Sequence, residues 1–234
     1  MASGWRARIG LLCPADESED REYWKYVPEG VAVLITRIAV PPEELDVQMA
    51  CEVAAGSDIE ESAKRLVIPQ PQCIALACTE LSFIRGVGYD EEISQRIQRA
   101  TGIRATTTST ASVNALRKLG VRKVAVATPY SEDINQKLAE FLEGSGFEVI
   151  SMRGLGIMYD VPAGEVYRFA REVDEPSAEA VFISCTGFCP AEVIEPLEQN
   201  LGKPVVAAAQ ATMWETLNLA GVRPRLPGLG CLYS

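Results

Sequence analysis

No histidine occurs in the 234 residues of this chain. That single absence removes Ser-His-Asp and Cys-His nucleophilic arrangements, and with them the commonest metal ligand. Any proton transfer has to run on Cys, Asp, Glu, Lys or Tyr. Positive charge is scarce as well. Lys and Arg number 22 against 32 Asp and Glu, a net charge of −10. With no basic stripe and no interleaving of Arg with aromatics, nucleic acid and anionic membrane are not expected partners. No apolar run approaches the ~18 residues that a membrane span needs. The first residues lead straight into a strand without a signal-peptide core, so the expected location is the cytoplasm. The Gly-rich nucleotide fingerprints are missing, and so are the Ser-x-x-Lys and Gly-x-Ser-x-Gly motifs. Seven cysteines are present, with no CxxC pair among them. An odd number without a secretion signal argues for free thiols. Cys185 and Cys189 are four apart but have no second ligand pair, so no metal site is expected.

What is present is a repeat. Ala180-Val181-Phe182-Ile183-Ser184-Cys185-Thr186-Gly187 is a short apolar run that closes on Cys-Thr, and Ile74-Ala75-Leu76-Ala77-Cys78-Thr79-Glu80 matches it. A run of four or five apolar residues closed by small polar ones reads as a buried parallel strand. Each Cys-Thr then stands at the carboxyl end of its strand, where open α/β sheets bind ligands. The likeness continues downstream. Gly102 to Gly120 and Gly202 to Gly221 enclose similar strand–helix units and differ by one residue in length. The pattern reads as an internal duplication that sets Cys78 and Cys185 across one cleft. The bland alternative is that each is a small buried hydrophobe.

The rest of the chain alternates strand and helix patterns, so the class is α/β with parallel sheets. Strands are expected at Arg8–Pro14, Val31–Ile38, Cys73–Cys78, Arg104–Thr107, Lys123–Thr128, Phe147–Ser151, Ala180–Ile183 and Val205–Ala208. Pro41-Pro42 breaks the chain. Glu43 to Leu66 reads as one or two helices, with Leu45 and Met49 on the apolar face and Gly56-Ser57-Asp58 at the break. Asp90 is expected to cap a helix to Ala100, Ser131 one to Leu142, and Pro162 to begin one to Val173. Pro190 opens a helix to Asn200, and Gly154 to Met158 reads as a loop. The expectation is two similar flavodoxin-like lobes, residues 1–112 plus about 212–234 and about 113–211, with the site between them.

At this level the sequence resembles the aspartate/glutamate racemase superfamily, in the branch of arylmalonate decarboxylase and maleate cis–trans isomerase. The Cys-Thr strand tips carry the resemblance. So do Thr79-Glu80-Leu81-Ser82-Phe83-Ile84-Arg85-Gly86 and Ala127-Thr128-Pro129-Tyr130-Ser131-Glu132-Asp133-Ile134-Asn135. It implies two pseudo-symmetric lobes, no cofactor, and a cleft that takes a small carboxylate or dicarboxylate. Cys185 matches the cysteine common to the branch. Cys78 matches a second cysteine that the isomerases and racemases have and the decarboxylase replaces by glycine. Tyr130 and Thr79 match carboxylate-binding positions, and Thr186 and Gly187 match the backbone-amide turn after the second cysteine. Glu80 departs from a serine of the decarboxylase, and Pro14 lies near an asparagine of the isomerase that this chain lacks.

Chemistry agrees with that pairing. Backbone amides at the Thr186-Gly187 turn, and a helix begun by Pro190, would lower a thiol pKa from its usual ~8.5. Two thiols on opposite faces of a carbon beside a carboxylate allow one to remove a proton and the other to return it. Alternatively, one thiolate adds to a double bond and lets it rotate. The expected activity is therefore a cofactor-independent isomerase or racemase. A decarboxylase with Cys185 as proton donor and a non-catalytic carboxylate receptor are the alternatives. Ser109 and Thr110 either bind carboxylate or cap the next helix. Glu80 either joins the acid–base set or pairs with Arg85. A homodimer stays open.

Overall fold

The computed structural model describes residues 4–41 and 46–234. Two four-stranded parallel sheets organise it. The first holds β1 (Ala7–Pro14), β2 (Val31–Ile38), β3 (Cys73–Leu76) and β4 (Arg104–Thr107), in the order β2-β1-β3-β4. The second holds β5 (Lys123–Thr128), β6 (Glu148–Gly154), β7 (Ala180–Ile183) and β8 (Val205–Ala207), in the order β6-β5-β7-β8. The orders are the same, strand for strand. Residues of β3 and β7 are wholly buried and uninterruptedly apolar, which is how a strand covered on both faces must read. Leu76 pairs with Thr107 and Ile183 with Ala207, the last rungs of equivalent ladders. Cys78 and Cys185 each come two residues beyond those rungs.

The helices are α1 (Asp20–Lys25), α2 (Val47–Ala55), α3 (Asp58–Leu66), α4 (Thr79–Phe83), α5 (Tyr89–Thr101), α6 (Thr108–Lys118), α7 (Glu132–Gly144), α8 (Ala163–Val173), α9 (Ile194–Leu201) and α10 (Ala208–Leu219). A 3₁₀ turn, Cys231–Tyr233, lies near the end. Where the two halves meet, α6 packs on α10, and α10 also touches β3 and β4 of the first sheet. Both helices present small residues there, including Ala111, Ala115, Ala208 and Ala211, all buried. Their contact is pinned by hydroxyls. Thr212 lies 2.9 Å from Thr108, whose hydroxyl donates to the Leu76 carbonyl at 3.2 Å. Thr107 caps α6 by accepting from the Thr110 N–H at 3.2 Å.

Several expected boundaries shift, each for a local reason. Asp90 is not the cap of α5; Gly88 is, in a left-handed conformation, and the Asp90 carboxylate accepts instead from the Thr110 hydroxyl at 2.6 Å. Thr110 lies inside α6 rather than before it. Ser131 occupies the first cap of α7 without a side-chain bond. Residues 190–193 form a turn closed on the Pro190 carbonyl, so α9 begins at Ile194 and not at Pro190. Strand β6 runs on through Gly154, which had read as loop. Pro42, Glu43 and Leu45, part of the expected break and helix, lie outside the described residues. Asp46 caps α2, accepting from Met49 N–H at 2.8 Å.

Thr108→Val should remove the hydroxyl that ties both helices to β3. The expected loss is about 1–2 kcal/mol, read as a lower urea midpoint at unchanged slope.

Candidate active site

The loops at the carboxyl ends of both sheets enclose one cavity of about 430 Å³, within the ~300–1,000 Å³ usual for small-molecule sites. Cys78, Thr79, Glu80 and Leu81 reach it from the first half, and Tyr130, Cys185, Thr186 and Gly187 from the second. Pro14, Asp16, Glu17 and Val40 line it from beside the first strands, and Gly156, Met158 and Tyr159 from the loop after β6.

Cys185 has an unusual backbone. Its φ is +90°, a left-handed value that a side chain pays for in strain of about 1–3 kcal/mol. The bend turns the following peptide back, and the Gly187 N–H donates to Cys185 Sγ at 3.3 Å. Gly187 is needed at that corner. A β-carbon there would lie 3.0 Å from the Met158 carbonyl and 3.1 Å from the Tyr159 ring. Met158 Sδ sits 3.5 Å from the thiol. The Thr186 hydroxyl donates across to the Ala77 carbonyl at 3.4 Å, which ties the two cysteine turns together. Burial pushes the Cys185 thiol up to about 12, and the Gly187 N–H and Tyr130 hydroxyl only partly oppose it. The expected helix start at Pro190 is absent, and α9 begins only at Ile194.

Cys78 stands differently. Its backbone is extended, it holds the first-cap position of α4, and it is partly exposed. Burial and then the neighbouring Glu80 raise its thiol well above the ordinary range, against the pull of the Leu81 N–H. The Thr79 hydroxyl is buried with no hydrogen-bond partner among the described residues.

Tyr130 is set by a closed polar loop. Thr128 donates to Asn135 Oδ1 at 2.6 Å, Asn135 donates to the Tyr130 carbonyl at 3.2 Å, and the Tyr130 N–H donates to Thr128 Oγ1 at 3.2 Å. Gly154 passes so close that a β-carbon there would collide with the Tyr130 carbonyl. The ring meets Phe83 edge-on at 5.9 Å, an aromatic contact between the two halves.

Of the residues singled out in the sequence, Ser109 does not reach the cavity. Its hydroxyl lies 2.7 Å from Ser82 Oγ and 3.2 Å from the Thr79 carbonyl, one layer behind the α4 turn. Arg85 is exposed and lies over the Tyr89 ring at 4.9 Å, while Glu80 lines the cavity. Sequence reading missed Asp16, Glu17, Met158 and Tyr159. Asp16 and Glu17 directly follow a strand tip, a signal that could have been used. Tyr159 and Met158 carried none. The Tyr159 hydroxyl donates to Asp16 Oδ2 at 2.7 Å, bridging the loops of the two halves.

With this geometry in hand, comparison with known proteins is decisive. A family model described as Arylmalonate decarboxylase matches residues 48–233. The chain belongs to that family. It is 34% identical over 231 residues to arylmalonate decarboxylase of Bordetella bronchiseptica, covering 95% of this chain and 92% of that one. It is 30% identical over 190 residues to maleate isomerase of Nocardia farcinica, covering 76% of each. Among solved structures, a doubly substituted arylmalonate decarboxylase in liganded form superposes with a TM-score of 0.89 at 29% identity, covering 97% of this chain and 99% of that one. In that variant one glycine is replaced by cysteine and one cysteine by serine. The maleate isomerase Iso of Pseudomonas putida S16 gives a TM-score of 0.90 at 21% identity, covering 97% and 98%, a likeness of fold. The two-sheet architecture and the resemblance read from the strand tips therefore hold, and the chain is an enzyme of this group.

Two expectations follow. Gly154→Ala should displace Tyr130 and destabilise the protein by about 1–3 kcal/mol, seen as a lower melting temperature together with loss of turnover. A Cys185 thiol raised from 9.0 to about 12 has roughly 10³-fold less thiolate near neutrality than an ordinary cysteine. Alkylation by iodoacetamide, mapped by peptide mass, should be correspondingly slower at Cys185 in the folded protein than in urea. It should accelerate with every unit of added pH.

Proposed function

We propose that the protein is a cofactor-independent isomerase or racemase of a small carboxylic acid, with Cys78 and Cys185 as an acid–base pair or, on a double bond, as nucleophile and acid. The observation that carries this reading is that both thiols, one from each half of the duplication, line the same cavity. One cysteine, as thiolate, takes the proton from the carbon beside the carboxylate. The other, as thiol, gives its proton to the opposite face, so each turnover leaves the two sulfurs with exchanged protonation. The negative charge that develops on the substrate carboxylate needs donors placed in advance. Thr79 supplies a hydroxyl with no partner among the described residues, and Tyr130 supplies a second beside Cys185. The Gly187 N–H, already directed at Cys185 Sγ, supports that sulfur when it carries charge. The lobe division at about residues 112 and 212 is part of the same proposal, supported by α10 lying against the first sheet.

A specific observation favours a second reading. A Cys185 thiol held near 12 is fully protonated at neutral pH, which suits the proton donor of a decarboxylase. The 34% identity to arylmalonate decarboxylase points the same way.

Turnover in deuterated water separates the two. Maleate, phenylmalonate and optically pure 2-phenylpropionate are the substrates to offer. The acid–base form of this reading expects deuterated racemic product from 2-phenylpropionate; fumarate from maleate would instead report one thiolate adding to the double bond, rotation about the new single bond, and departure of the same thiolate. Cys78→Ser and Cys185→Ser should each lower that rate by about 10²-fold or more. Full activity in Cys78→Ser would eliminate the two-thiol mechanism. Carbon dioxide release from phenylmalonate that survives Cys78→Gly but not Cys185→Ser would establish the decarboxylase instead.

A further inference from the structure

Glu17 is a cavity group that neither the sequence motifs nor the two-thiol chemistry uses. It follows the tip of β1, where its N–H donates to the Pro14 carbonyl at 3.2 Å. Its side chain is buried at 5% exposure and lines the cavity. The Tyr23 hydroxyl donates to Oε1 at 2.8 Å, and that fixes the carboxyl plane. The second oxygen, Oε2, is buried with no hydrogen-bond partner among the described residues. Two buried polar atoms without a partner among the described residues, Glu17 Oε2 and Thr79 Oγ1, thus belong to residues that line the same cavity.

The charge inventory of the cavity makes the Glu17 oxygen informative. Asp16, Glu17 and Glu80 all line it, and no Lys or Arg does among the described residues. An anionic ligand entering such a space meets carboxyl groups and no cation. Unless a carboxyl is neutral, binding costs Coulomb repulsion in a poorly solvated site. A carboxylic acid, by contrast, carries an O–H donor that a second carboxylate can accept.

We propose that Glu17 binds the substrate as a neutral acid, its Oε2–H donating to the substrate carboxylate opposite the Thr79 hydroxyl. It is a specificity residue for monoanionic carboxylates, and no bond to it forms or breaks apart from the hydrogen bond. Its surroundings permit the neutral form near physiological pH. Burial raises Glu17 to about 7, against the Tyr23 hydroxyl and the Arg37 guanidinium. Arg37 pulls weakly because it is committed to Asp20, with one nitrogen 2.8 Å from each carboxylate oxygen. Asp20 pushes Glu17 up, and the nearby Cys13 thiol, as a weak donor, pulls it down slightly. Facing it, Cys78 and Cys185 are both raised further by a charged Glu17, so a neutral Glu17 also eases thiolate formation.

The sign follows. An anion binds the protonated form, so affinity is full below about 7 and falls as pH rises through that value. Cys185, held near 12, does not titrate in this window. Binding must also take up a proton, because the bound anion raises Glu17 further.

The inference rests on the carboxylate reading of the site but is tested by binding alone. Calorimetry with 2-phenylpropionate and phenylacetate, from about pH 5.5 to about 8.5 in buffers of different ionisation enthalpy, reads both effects. The expected result is affinity weakening by roughly tenfold per unit above about pH 7, with net proton uptake. Glu17→Gln keeps a donor and the shape but cannot titrate, so its affinity should be flat and near the wild-type acid limit. Glu17→Leu should bind about 10-fold more weakly at pH 6 or below. A flat wild-type profile, an unchanged slope in Glu17→Gln, or no binding of either acid at the acid limit would overturn the proposal. Binding with the expected profile but no turnover of any acid would leave this inference standing and remove the isomerase reading.

Discussion

On the proposed reading, anionic chemistry in a cavity that no Lys or Arg lines among the described residues is the constraint on which the rest of this site depends. Every other choice follows from it. With no histidine in the chain and no Lys or Arg lining the cavity among the described residues, negative charge can be met only by neutral donors. Those donors are hydroxyls and backbone N–H groups, and each must be fixed before substrate arrives to be worth much. The structure fixes them by close packing. Gly154 lets β6 pass against the Tyr130 carbonyl, and the Thr128–Asn135 pair holds the residues on either side. Gly187 lets the Met158–Tyr159 segment close over the Cys185 turn. The same dryness that strengthens such donors also raises both thiols, so the cavity stores its reactive groups in their neutral forms.

Duplication supplies the geometry. In each half the third strand ends on a rung shared with the fourth, the cysteine comes two residues later, and a helix begins directly after the fourth strand. Helices α6 and α10 then pack against each other through small residues and the Thr108–Thr212 pair. The cysteine turns are held together a second time by Thr186 reaching the Ala77 carbonyl. Small motions of one half against the other would therefore be felt at both sulfurs.

Much of this was legible in the sequence. Uninterrupted apolar runs such as Cys73–Leu76 and Ala180–Ile183 announce covered parallel strands, and their small polar ends announce a ligand edge. The equivalence of Cys78 and Cys185 was readable because the repeat preserves spacing around them. What escaped had no local signal, or had a misleading one. Asp90 has the composition of a helix cap, but Gly88 takes the left-handed turn and frees Asp90 for Thr110. Pro190 has the composition of a helix start, yet its ring opens only a turn. Ser109 stands at a strand tip but faces Ser82, behind the cavity wall. Met158 and Tyr159 reach the site because a loop folds back across the cleft, and loop paths are not written in periodicity.

The duplication is also where the two halves part, and that difference bears on mechanism. Strand β3 is followed at once by α4, so Cys78 keeps an extended backbone and caps a helix turn. Strand β7 is followed by a longer turn before α9, and Cys185 takes a φ of +90° that folds the Gly187 N–H back onto its own sulfur. Identical Cys-Thr signals thus produce a relaxed thiol beside Glu80 and a strained one beside Tyr130 and Met158. Strain of this kind persists only where the surroundings over-determine it. Here the Thr186 bridge, the Met158 contact and the close packing at Gly187 do so. A symmetric proton exchange would want two equivalent acids. The structure instead offers Cys185, whose burial is opposed by the Gly187 N–H and the Tyr130 hydroxyl, and Cys78, whose burial is reinforced by Glu80 and opposed by the Leu81 N–H alone. In the proposed exchange the two directions of proton transfer therefore start from unequal sulfurs, with Cys185 the easier of the two to hold as an anion.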